Sequence, residues 1–229
     1  MKNQKVVTAL QRIGIFSSIA FPAILIFSFF IHHIGEFTMA DLFTLKFRYI
    51  QPTPERFMEL FRSESAIDFI IPHLIIYLAL PLVIPAVAYL GSLLFKNKPW
   101  LSIIGVSVSL IGIVFMGGVF GSWLSFIAIG NVSSDLVAGA IPFIEAVTRN
   151  NGLLMLTSSL AALSLIGFMI ITAGLFFTRS IARWQSVLIF LGNLIIITFM
   201  DIDNLMLVGS LMWLLGILPF LKKQKSQPE

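Results

Sequence analysis

The residues with the clearest chemical potential are three histidines and the acids nearest them. His32 and His33 close one apolar run, and His73 lies early in the next. Glu36, Asp68, Asp201 and Asp203 fall at the same ends of apolar runs. Imidazole with carboxylate suits zinc and other divalent ions, and two imidazoles on neighbouring helices can ligate a b-type haem. The spacing favours neither. On an ideal helix His32 and His33 point about 100° apart, and Asp68 and His73 about 140° apart. No HxxxH, HExxH or ExxH pattern occurs. An imidazole near a headgroup interface ordinarily bonds water or backbone. The expectation is therefore no resident cofactor, with a metal ion or a haem as the alternatives.

A second candidate lies deeper. Asn193 stands in the middle of an apolar run, where an unpaired amide is expensive in lipid. Thr157 and Ser158, with Ser159 and Thr172 on the preceding run, are its expected partners. The simplest role is an interhelical hydrogen bond that fixes register; a substrate contact is the alternative. No Lys, Arg, Asp or Glu falls near the middle of any apolar run, which argues against a proton- or ion-coupled pump.

Enzyme signatures are missing as well. The sequence has no nucleophile elbow, no Walker motif and no glycine-rich phosphate loop. With no cysteine it can form neither a disulfide nor a thiolate site. The chain reads as a binding, sensing or accessory protein rather than an enzyme. A small permease for an apolar or lipid-like substrate is the second reading.

The elements that position these residues follow from composition. Of 229 residues, 58% are hydrophobic and 11% charged, with a mean hydropathy of +0.97. Soluble domains carry about 25% charged residues, so the solvent of this chain is lipid. Crossing a bilayer takes roughly 20 helical residues. Apolar runs near 13–34, 68–95, 100–129, 153–177, 184–200 and 205–221 meet or approach that length. The chain is expected to be all-α, one transmembrane domain over 1–229, with six membrane-spanning helices. The first run is too long for a signal-peptide core and reads as an uncleaved helix.

Charge sets the orientation. Lys2, Lys5, Arg12, Lys96, Lys98, Arg179, Arg183, Lys222, Lys223 and Lys225 fall on one side, with Glu229 as its lone acid. The other side holds five basic residues against ten acids. The positive-inside rule then places both termini in the cytoplasm. These cations lie in short groups between apolar runs, so the pI near 9.6 does not signal nucleic acid.

Three further features have a packing meaning. Gly117, Gly121 and Ser125 form a small-residue stripe suited to close helix approach, within the chain or in a homo-oligomer or with a membrane partner. Pro72, Pro81 and Pro85 should bend the second helix. In the first outer loop, Thr53-Pro54-Glu55 reads as a helix start, and Phe57, Leu60 and Phe61 form one apolar face. That is an amphipathic helix for the outer surface, where the working face is expected.

The last 75 residues or so carry a resemblance. Arg179-Ser-Ile-Ala-Arg183-Trp184 precedes one apolar helix; Asp201-Ile-Asp203 and then Val208-Gly209, Trp213 and Gly216 follow. This is similar to small bacterial six-helix integral membrane proteins known only as domains of unknown function. The resemblance implies a six-helix membrane bundle and no activity or catalytic residue. It does not extend to the aromatic first outer loop.

Overall fold

The computed structural model describes residues 2–32, 66–130, 153–198 and 203–219, with positions 136, 139 and 142 singly. Side chains are described over 6–31, 70–122, 156–198 and 205–219, and at the same three single positions. The amphipathic helix expected after Thr53 lies outside the described residues, as does the loop around Pro142–Arg149 apart from Pro142 itself.

Among the described residues every regular element is helical. Helix α1 runs Lys2–His32, α2 Ala66–Ala79, α3 Val83–Phe95 and α4 Pro99–Gly130. Then come α5 Leu153–Ala161, α6 Leu163–Thr178, α7 Arg183–Thr198 and α8 Asp203–Ile217. Four stretches are long and apolar enough to cross a membrane: Val6–Ile31, Ile70–Phe95, Pro99–Ser122 and Leu156–Thr178. Helices α7 and α8 are apolar but shorter, at 16 and 15 residues.

Boundaries differ from expectation in informative ways. Helix α1 starts at Lys2 rather than near residue 13. Once a helix is nucleated, extending it through good formers such as Lys, Gln and Ala costs little. Helix α8 ends at Ile217, short of the expected 221, just before Pro219. The second apolar run is not one smooth helix. A 3-10 turn over Leu80–Leu82 separates α2 from α3, and Pro81 lies inside it. Pro85 falls in the first turn of α3, where proline is better tolerated than in a helix interior. The fourth run is marked only by Ala162, whose N–H still reaches Ser158 O at 3.3 Å.

The helices pack mostly against their sequence neighbours, and the last returns to the first. Helix α1 lies against α2 and α3; α4 joins α3, α5 and α6; α7 sits against α6 and α8; and α8 closes on α1. Lipid removes most of the hydrophobic drive between helices, so small residues and close van der Waals contact hold such seams. Between α3 and α4, Ser102 Oγ donates to Gly91 O at 2.7 Å. Between α4 and α6, Ser109 Oγ donates to Ser164 O at 3.0 Å, and Gly105 and Gly112 press on the backbone around Leu163–Gly167. Between α7 and α8, a Cβ on Gly192 would stand 2.5 Å from Gly209 O.

The small-residue stripe expected at Gly117, Gly121 and Ser125 does not make these contacts. Among the described residues, a Cβ added at Gly117 or Gly121 meets no atom within 4 Å, and the Ser125 side chain lies outside the described set. The tight seam sits further back on α4, at Gly105, Ser109 and Gly112. It follows the position of Ser164 and Gly167 on α6, because two helices approach only where both present small residues.

The bundle is apolar outside and partly polar inside. Phe16, Phe27, Leu78, Val114 and Phe177 are exposed, while Ser17, Ser28, Ser186, Asn193 and Ser210 are buried. Large exposed apolar side chains in this number need an apolar surround, which agrees with the long apolar helices of a membrane protein.

Candidate functional site

The histidine–carboxylate cluster falls only partly within the described residues. His33, Glu36 and Asp201 lie outside the described residues. His32 ends α1, Asp68 sits in the first turn of α2 and Asp203 opens α8, with their side chains undescribed. Gly14 of α1 lies against Pro85 and Tyr89 of α3, so the antiparallel run carries His32 toward the start of α2. The His73 ring is half-buried and faces Phe120 of α4, with centroids 6.1 Å apart. No group of three metal-ligating side chains gathers among the described residues.

The deeper candidate is fully resolved, and its partners are not the expected ones. Asn193 is completely buried on α7. Its Nδ2 donates to Ile189 O at 2.7 Å, one turn back on its own helix, and Oδ1 has no partner. Thr157 and Ser158 lie on α5, which packs on α4, whereas α7 packs on α6 and α8. Thr172 turns its hydroxyl to Phe168 O at 2.8 Å. The expected interhelical bond is thus replaced by a bond along α7, because a short amide reaches its own preceding turn more readily than the next helix.

Trp213 is a second buried polar group, on the helix that packs against α7. This indole is buried about one turn before the end of α8, edge-on to Phe168 of α6 at 4.8 Å and Phe21 of α1 at 5.6 Å. Gly192, the neighbour of Asn193 in sequence, lies close against the backbone of Trp213: a Cβ there would stand 2.9 Å from Trp213 N. Helices α1, α6, α7 and α8 therefore meet at this ring. Like Asn193 Oδ1, Trp213 Nε1 is buried without a partner.

Four serines extend the set. Ser17 and Ser28 share the Phe21 face of α1, Ser186 precedes Asn193 by two turns on α7, and Ser210 precedes Trp213 by one turn on α8. Each Oγ is buried and unpartnered. A serine hydroxyl rotates freely and can fall back on the carbonyl one turn earlier, as Ser18 does to Gly14 O at 2.7 Å. The indole N–H has no such retreat, and Asn193 Oδ1 accepts only from a donor brought to it. These two atoms are the fixed, open valences: one donor, one acceptor, both in a low-dielectric interior. Their chemistry suits a group that both donates and accepts: a neutral alcohol, an amide or a water molecule.

No protein-family model, curated protein or solved structure matches the chain. The functional reading rests on its own residues.

Sequence reasoning found Asn193 but missed its company. Trp213 entered the sequence reading only as part of the C-terminal resemblance. The available signal was periodicity: Ser17, Phe21 and Ser28 fall at i, i+4 and i+11, Ser186 and Asn193 at i and i+7, and Ser210, Trp213 and Ile217 at i, i+3 and i+7.

Proposed function

We propose that the chain is a six-span protein of the bacterial cytoplasmic membrane, both termini cytoplasmic, acting by binding rather than catalysis. The observation that carries the binding reading is the pair of buried, partnerless atoms Asn193 Oδ1 and Trp213 Nε1. Leaving such groups unpaired costs about 1–3 kcal/mol each, and a bound neutral group that accepts from Trp213 Nε1 or donates to Asn193 Oδ1 recovers that cost. Support for six spans comes from packing. Helices α7 and α8 occupy the same closed circuit as the four long helices, with α8 against α1.

Replacing Asn193 with leucine tests the binding role. Leucine is close in size and needs no partner, so the variant is expected to melt at or above the wild-type temperature. Native mass spectrometry of wild-type protein extracted in mild detergent should show a retained neutral adduct, a bound water or small organic molecule, that Asn193→Leu lacks. Equal adduct content in the two proteins would remove the binding reading.

The span count has its own test, helped by the absence of natural cysteine. In intact cells a membrane-impermeant maleimide should label Asp201→Cys, while Ser226→Cys should react only after permeabilisation. An Asp201→Cys protected from outside would mean that α7 and α8 do not cross.

The permease reading has one specific observation in its favour: the 3-10 turn at Leu80–Leu82 in the second span. Such a break can act as a hinge. On that reading Pro81→Ala, which restores an N–H to the break, slows transport while leaving ligand retention unchanged.

A further inference from the structure

Two turns at one end of the bundle are tied together across a long stretch of sequence. Asn97, between α3 and α4, donates from Nδ2 to Ser180 Oγ at 3.0 Å, and Ser180 belongs to the turn between α6 and α7. Thr178 Oγ1 lies 2.8 Å from the same hydroxyl. Below the tie, Gly174 admits Leu94 and Leu101, whose side chains would stand 2.6 and 2.9 Å from a Cβ there. The turns are thus held side by side.

The tie gathers charge. Lys96 and Lys98 flank Asn97, Arg179 and Arg183 flank Ser180, and all four side chains are exposed. The sequence holds no acid between Asp68 and Asp135, or between Glu145 and Asp201, so neither turn neutralises its own cations. Arg179 occupies a left-handed position, φ 53°, where glycine is the usual cap. The Arg183 guanidinium lies 5.2 Å from the centre of the Phe176 ring.

Beside these cations stands an exposed aromatic wall. Trp100 and Phe177 are 76% and 78% exposed, and Phe95 and Trp184 are each more than half exposed. A soluble anion would engage the cations and leave these rings unused. An anionic phospholipid engages both: phosphate oxygens on the Lys and Arg heads, glycerol and upper acyl chain along the aromatics.

We propose that the paired turns Lys96–Lys98 and Arg179–Arg183 form a binding site for the headgroup of an anionic phospholipid such as phosphatidylglycerol. Basic pockets between transmembrane helices commonly hold such headgroups. The proposal rests on the long apolar helices, not on the binding role of the core or on the span count.

The test is a lipid titration of the full-length protein in detergent, read by native mass spectrometry, with phosphatidylglycerol against phosphatidylcholine of equal chain length. Wild-type protein should prefer phosphatidylglycerol by at least about tenfold. The double variant Lys96→Gln/Lys98→Gln, altered at exposed turn positions, should lose about 30-fold of that lipid's affinity, roughly fivefold per charge. Asn193→Leu should bind phosphatidylglycerol like wild type, which separates this site from the core. Equal binding of the two lipids by wild type, or an unchanged preference in the double variant, would overturn the proposal. So would displacement of the lipid by millimolar inorganic phosphate, which would mark a plain anion site.

Discussion

Trp213→Ala is expected to destabilise the bundle by about 3 kcal/mol or more, the usual range for removing a buried tryptophan. The indole is almost wholly buried and wedged between Phe21 and Phe168, so its loss opens a cavity lined by α1, α6, α7 and α8. In a membrane the unfolded helices stay in lipid, so little of this effect is hydrophobic transfer. The loss is of contact: each atom pair contributes only about 0.1–0.2 kcal/mol, but a large buried ring makes many. Reversible unfolding in mixed detergent micelles measures it. Trp213→Phe is the matched control. It retains an aromatic ring against Phe168 while deleting the partnerless N–H, and should fall within about 1 kcal/mol of wild type. An alanine variant as stable as wild type would mean that the four helices do not depend on this ring.

How much of this was legible beforehand depends on what each feature needs. The existence and order of the helices need only apolar length, and all six apolar runs reappear as helix among the described residues. Which proline interrupts the second run needs more, because Pro72, Pro81 and Pro85 look alike in sequence. Pro72 stays inside α2 and Pro85 inside α3, while the 3-10 turn forms around Pro81. Asn193 could be recognised as a costly polar group from its position alone. The buried serines of α1 could not, since α1 is apolar around most of its circumference and Ser17 and Ser28 mark its inner face only once α8 is seen against it. The histidine–carboxylate group depends in part on residues 33–65 and 199–202, which lie outside the described residues.

The small residues of α4 show where spacing alone cannot place a seam within the chain, and they yield the second large effect. Gly117 and Gly121 fit the four-residue period of a packing motif, and so do Gly105 and Ser109, with Gly112 one turn on. Sequence cannot choose between them, because the choice belongs to the register of α6. In the fold, a Cβ on Gly112 falls on the backbone nitrogen of Ser164 and 2.6 Å from the Leu163 carbonyl carbon. Backbone cannot rotate aside as a flexible side chain can, so Gly112→Ala must force α4 and α6 apart. Overpacking of this kind costs about 1–3 kcal/mol. Separating the helices also breaks the bond from Ser109 Oγ to Ser164 O, for about 1 kcal/mol more. Gly117→Ala meets open space among the described residues and gains helix propensity of up to about 1 kcal/mol. The expected result is a loss of about 3 kcal/mol for Gly112→Ala and a neutral or slightly positive change for Gly117→Ala, in the same unfolding assay. If Gly117→Ala proved the more damaging and shifted the protein to a smaller species by size-exclusion chromatography, the stripe at 117–121 would be a seam between copies of the chain. The α4–α6 contact would then hold less of the fold's stability than its geometry requires.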